Sequence, residues 1–245
     1  METSPVKKGL VAALQRAIPE QRYFVGLVPA ITVEALTDPE TGLKAARPDL
    51  FKRTVMMVAM PPGAPEEVEQ LAVNFVRLLG AKPLLADLAE SDGLMATAHI
   101  LPQLAAAALL QATIDRPGWA DSRKMASRPF VGVTGGLAYY DDPVSLGAAV
   151  LSNPQAALHA LDEFIAALEE LRDEVERADA GAVEKRLKGA FDSRERWLNE
   201  RSAAEWLSEG GEPAELPNVG EQVMQVLFGN RIIDRNKRKK EVKKK

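Results

Sequence analysis

The chain has 245 residues, 46% of them hydrophobic and 27% charged, an ordinary globular composition long enough to bury a sizeable core. It has no cysteine, which excludes disulfides, thiolate metal sites and a cysteine nucleophile, and two histidines, His99 and His159, are too few for a histidine-rich metal centre. The net charge of −4 conceals a split: residues 235–245 carry eight Lys/Arg and one Glu, leaving 23 basic against 34 acidic residues, or −11, in the body, a balance that argues against a broad nucleic-acid-binding surface.

Alanine and leucine dominate, which favours a mainly helical protein. Residues 4–18 read as a helix capped by Ser4 with Pro5 in its first turn. The run 23–27 reads as a buried strand, 29–50 as loop, and 54–60 (TVMMVAM) as a second strand. A helix from about Pro65 starts on Glu66 and Glu67 and stops at Gly80, as the helix dipole and the left-handed cap prefer. A third strand spans 82–88, which makes a β–α–β order.

No strand pattern follows residue 90. The apolar stretch 94–114 is interrupted by His99, Pro102, Gln103 and Gln111, too often for a membrane span, and reads as a buried helix or helix pair. Helices are expected at 91–114, 117–127, 129–138 and 143–151. Two long ones follow, over 154–177 with Leu158, Leu161, Phe164, Ile165, Leu168, Leu171 and Val175 in helical rhythm, and over 180–207 with Val183, Leu187, Phe191 and Leu198. Their short join predicts an antiparallel hairpin. Residues 208–218 read as a polar Gly/Pro linker, 219–228 as a short helix, and 235–245 as a disordered basic tail. With no apolar signal-peptide core, the expected location is cytoplasmic.

The fold class is therefore mainly α with a small α/β N-terminal piece. Residues 1–90 form a partial Rossmann-like segment, 91–207 a helical domain, and 208–245 the linker, short helix and tail. The seventeen glycines include no G-x-G-x-x-G, so the phosphate-cradling turn of a dinucleotide fold is missing. P-loop, G-x-S-x-G and H-E-x-x-H motifs are missing too.

The order of segments carries more. TSPVKKGL (3–10), FVGLVP (24–29), DLF (49–51), LLGA (78–81), SDGLMATAHILPQLAAA (91–107) and DDP (141–143) with Asn153 resemble the prephenate/arogenate dehydrogenases over about residues 3–205. The resemblance implies a partial Rossmann-like half followed by a helical dimerisation domain, hence a homodimer. It also implies that the glycine-rich turn and most of the sheet precede Met1 or lie on a separate nucleotide-binding chain. It implies NAD or NADP as the family cofactor, although none is expected for this chain alone.

Family chemistry oxidises prephenate or arogenate by hydride transfer with loss of carbon dioxide, and a histidine takes the ring hydroxyl proton. Carried across, that histidine falls on Val28, before Pro29. The serine of S-V-K falls on Pro5, before Val6 and Lys7. The His of H-D falls on Ser91, before Asp92, and the last His of L-P-H falls on Gln103. The family's T-R becomes Thr134–Gly135, so the arginine that meets a substrate carboxylate is not matched. The substrate-pocket candidates are Lys7, Val28, Thr32, Ser91, His99, Gln103 and Thr134; no catalytic residue, cofactor contact or metal ligand is assigned.

Several of these residues have a plainer reading. Lys7 suits a solvated helix start, His99 a hydrogen-bonded core histidine, Gln103 a helix-end partner, His159 a surface position and Asp141–Asp142 a helix cap. Arg194, Arg196 and Arg201, interleaved with Glu195 and Glu200, suit surface ion pairs. Three functions stay in view: a dimeric homologue that has lost catalysis and binds or regulates, a subunit or truncated form of an active enzyme, and a structural interaction module. The tail reads as a solubilising end or, functionally, as a weak, salt-sensitive contact with an anionic partner.

Overall fold

The computed structural model describes residues 1–204 apart from 15–16, 39, 41 and 138–142. The caps expected at Asp141–Asp142 and everything expected beyond residue 204 lie outside the described residues.

The sheet has three strands in the order β1 (Gly26–Pro29), β2 (Val55–Met60) and β3 (Lys82–Asp87). β1 runs antiparallel to β2 with Val28 opposite Met57. β3 runs parallel to β2. The unbroken apolar run of β2 suits a central strand covered on both faces, and Met56, Met57, Val58 and Ala59 are all buried. The crossover to β3 is made by α2 (Glu66–Leu78), which turns Ala72, Val73 and Val76 inward. Gly80, at φ +83°, ends it: Gly80 N–H donates to Arg77 and Ala81 N–H reaches back to Val76, the left-handed cap that glycine adopts without a Cβ penalty. Val25, Leu27, Met56, Val58, Ala72, Val76 and Ala81 make the core between these elements, with Phe51, Met60, Val68 and Leu79 packed against it.

Three sequence expectations shift here. The first helix, α1 (Lys8–Leu14), begins four residues later than Ser4. Ser4 does not cap it; its hydroxyl donates to the Glu2 carboxylate at 2.6 Å, because the chain at Glu2 is extended and pairs in parallel with Gly26. The first strand lies at Gly26–Pro29 rather than 23–27, since Tyr23 is half exposed while Phe24 and Val25 lead into the core. The stretch read as loop holds two 3₁₀ turns, Glu34–Thr37 and Gly42–Ala45.

After β3 the described residues are helical. α3 (Leu88–Met95) and α4 (Leu101–Thr113) are joined by a π-helical turn, Ala96–Ile100, into one continuous helix over Leu88–Thr113. Pro102 explains the widened turn: it has no N–H for residue 98 and its ring crowds that carbonyl. By length and composition alone this helix is apolar enough to cross a membrane, yet only 22% of its most apolar window is buried. The buried helix expected there is thus an apolar rod largely uncovered within one chain.

α5 (Trp119–Met125), α6 (Arg128–Thr134) and α7 (Pro143–Ser152) follow. Asn153 then caps α8 (Pro154–Glu176), accepting from Ala156 with Pro154 in the first turn. α8 and α9 (Ala180–Ala203) form the expected hairpin. Asp179 caps α9, and Arg186 fastens the pair with a two-pronged bond to Glu174 at 2.7 and 2.8 Å and a third to Glu170.

Candidate functional site

The segments that carry the resemblance meet at the start of α1. The buried carboxylate of Asp92 on α3 accepts the backbone N–H of Lys7 at 2.6 Å and of Lys8 at 3.2 Å, and the Asn153 side-chain amide at 2.9 Å. A carboxylate at a helix N-terminus satisfies donors that have no intrahelical partner. Asp92 therefore caps α1, and through Asn153 it ties that cap to the start of α8.

Lys7 is the largest correction. Its side chain is wholly buried, not solvated. The ammonium donates to the carbonyls of Ser4 and, at 3.0 Å, Leu27, and pairs with Glu2 Oε1 at 2.7 Å. Burial pulls its pKa below the ordinary lysine value, opposed by the Glu2 carboxylate. Gly26 is required beside it, since a Cβ there would lie 2.8 Å from Lys7 Cδ and Cε. Lys7 thus fixes β1 from behind, its ammonium held by Ser4, Leu27 and Glu2.

Val28 follows at the end of β1, half buried. Thr32 lies just beyond; its N–H bonds to the Leu50 carbonyl, and its hydroxyl is buried without a hydrogen-bond partner. Ser91, beside Asp92, is fully buried and its hydroxyl has no partner. His99 sits half buried on the π turn, a feature that recurs at functional sites. Gln103 is buried one turn on, with its amide donating to the His99 carbonyl at 3.0 Å. Thr134 commits its hydroxyl to the Phe130 carbonyl in its own helix. His159 is exposed.

Arg201 is part-buried rather than a wholly surface residue. It reaches from the end of α9 to the Ile31 carbonyl at 2.8 Å, across 170 residues, and burial lowers its pKa below the ordinary arginine value. Nothing in its neighbourhood along the chain, among Glu195, Arg196 and Glu200, signals that inward turn.

The structure thus gathers Lys7, Asp92 and the β1 end that carries Val28, sets His99 and Gln103 on one turn, and brings Arg201 beside Thr32. Hydroxyls, an amide, an imidazole and a guanidinium can bind a polar ligand, but position 28 offers hydrocarbon where the resemblance asks for a base. A dinucleotide does not fit the two strand-to-helix turns among the described residues. The one before α2 is followed by Glu66, Glu67 and Glu69, and Asp87 caps α3 with its own carboxylate. A pyrophosphate would meet like charge at both, where it needs free N–H groups.

No family model matches the sequence, and no curated protein is a significant match. Solved structures do match. Synechocystis arogenate dehydrogenase superposes with a TM-score of 0.64 at 18% identity, covering 80% of this chain and 68% of that one. Prephenate dehydrogenase from A. aeolicus, in complex with hydroxyphenyl propionate and NAD+, gives 0.66 at 19% identity, covering 78% and 64%. A further structure of the Aquifex aeolicus enzyme gives 0.59 at 18%, covering 79% and 66%. The fold is therefore an α/β piece of Rossmann type joined to a helical domain. More particularly, it is the fold of the prephenate and arogenate dehydrogenases, of whose solved structures the chain spans about two thirds.

Proposed function

We propose that the chain is a homologue of the prephenate/arogenate dehydrogenases that associates as a homodimer through α8 and α9, and that it binds or regulates rather than carrying out hydride transfer. The observation that carries this reading is Val28. By the resemblance Val28, with Pro29 retained after it, falls where the family's histidine takes the substrate proton, and a valine cannot accept one. The helical half supports association: Leu168, Val175, Leu187 and Phe191 lie about half exposed or more on the hairpin, more apolar surface than a monomer ordinarily presents.

The test is direct. Purified protein mixed with prephenate or arogenate and either NAD or NADP should give no rise in absorbance at the reduced-nicotinamide wavelength above the enzyme-free rate. Val28→His alone should not change that. A steady rise in the unaltered protein would sink the reading.

One observation favours a second reading, a subunit that works with a separate nucleotide-binding chain. Glu2 pairs in parallel on the outer edge of β1, its N–H donating to Val25 and its carbonyl accepting from Leu27. Strands from another chain would extend the sheet on that side. In that case a chain bearing the glycine-rich turn would co-elute with this one, and hydride transfer would need both.

A further inference from the structure

A second concavity lies away from β1 and Lys7, where the chain leaves α4. The turn after α4, with α5 and α6, encloses a cleft of about 650 Å³, within the range of roughly 300–1,000 Å³ typical of small-molecule sites. Its walls are apolar: Leu109 from α4, Trp119 from α5, Phe130 and Val133 from α6. The Trp119 and Phe130 rings stand 5.7 Å apart, tilted by 38°. Neither α5 nor α6 contains a buried residue, so the two rings brace the helices without filling the space between them and α4.

Two polar groups open onto this wall. Arg116 is exposed and has no carboxylate partner among the described residues. Ser127 occupies the N-cap position of α6, yet its hydroxyl makes no cap hydrogen bond. The neighbouring hydroxyls of Thr113 and Ser122 are committed to helix carbonyls, and Asp121 is held by Lys124. Residues 111–134 carry four basic and two acidic side chains, in a body that is −11 overall without its tail. Here an otherwise acidic protein offers a guanidinium beside an aromatic wall.

We propose that this cleft is a binding site for a small amphiphilic carboxylate, with a flat apolar body against Trp119 and Phe130 and its carboxylate on Arg116 and Ser127. The assignment is independent of the function proposed above, since it uses no residue of the β1 site. An apolar body alone would not need the arginine, and a polyanion would not tolerate the hydrocarbon wall, so the pairing selects one negative charge on an apolar frame.

The probe is 2-naphthoate, with 2-naphthamide as its neutral shape match, titrated calorimetrically into the full chain. The chain has three tryptophans. A Trp197→Phe/Trp206→Phe protein therefore leaves Trp119 as the reporter, and its emission should change along the same saturation curve as the heat. The acid should bind at least roughly tenfold more tightly than the amide, the usual scale for a hydrogen bond to a charged group. Arg116→Gln should remove that difference without moving the thermal midpoint, because the side chain is exposed. Arg172→Gln, a guanidinium changed elsewhere, should leave it intact. Equal binding of acid and amide, an unchanged acid affinity in Arg116→Gln, a Trp119 signal that stays flat while heat saturates, or no saturable binding would each overturn the assignment.

Discussion

The backbone N–H of Lys7 donates to Asp92 at 2.6 Å across 85 residues, and that bond joins the start of α1 to the helix that lines the candidate site. Asp92 also takes Lys8 N–H and the Asn153 amide. Asp92→Ala should leave all three donors without an acceptor in a buried place. A buried donor stranded in this way costs about 1–3 kcal/mol, and relaxation at the more accessible Lys8 should hold the total near 3 kcal/mol. Urea denaturation should show the midpoint falling with an unchanged slope. Asp92→Asn should cost less, since one oxygen survives to accept. A loss below about 0.5 kcal/mol, the scale of an ordinary surface substitution, would contradict the clasp.

Lys7 predicts a pH effect of defined sign. Burial lowers its folded-state pKa below the unfolded value near 10.5. Between those two values the unfolded chain binds more protons than the folded one, so stability rises with pH across that window. Below the folded pKa the cost of burying the charge is constant. Lys7→Met removes the group and serves as the reference. The stability of the unaltered protein minus that of Lys7→Met should therefore increase as pH rises through the window towards 10.5, measured by denaturant melts. A difference that falls over that window would mean the ion pair with Glu2 outweighs burial.

Helix positions were legible because their signals are local. Glu66 and Gly80 bracket α2, and in the helical rhythm of α8 Leu161 and Phe164 lie on its less exposed side while Leu168 faces outward. The ordered segments from Val6–Lys7 to Asn153 pointed to the fold that the solved structures then showed. The surroundings of single charged residues were not legible. Lys7 looks like a surface lysine because the groups that hold it, Glu2 and the Leu27 carbonyl, meet it only when the extended segment pairs with β1. Ser4 loses its cap role to Asp92, a residue 88 positions away in sequence. The π turn at His99 comes from Pro102, and a proline inside a helical pattern predicts a break without saying that a wide turn will absorb it.

Association should run through the hairpin. Phe191 is 75% exposed on α9, near Leu187. The unaltered protein should sediment as a dimer at tens of micromolar. Phe191→Glu places a charge at the centre of that apolar surface, where it would be desolvated without a partner. The variant should sediment as a monomer while its far-ultraviolet circular dichroism is unchanged. A monomer in the unaltered protein, or a dimer in Phe191→Glu, would assign the exposed face another purpose.

Arg201 offers the last prediction, because it is the described link between the end of α9 and the turn after β1. Its guanidinium holds the Ile31 carbonyl at 2.8 Å, one residue before Thr32, whose hydroxyl is buried without a partner. The turn is otherwise anchored by Thr32 N–H on Leu50 and Ala30 N–H on Val55, so losing the arginine should loosen it without melting the sheet. Arg201→Ala should cost about 1–2 kcal/mol, the scale of one part-buried hydrogen bond to a charged donor together with the packing of its stem. Hydrogen exchange should quicken at residues 30–33 and in the last turn of α9, and remain slow in β2. Arg201→Lys keeps a charged donor group without the planar fork and should recover part of the protection at 30–33. If Arg201→Ala speeds exchange only at the end of α9, the contact with Ile31 does not restrain the turn. If exchange quickens across β2 as well, the effect is global destabilisation and the local link is refuted.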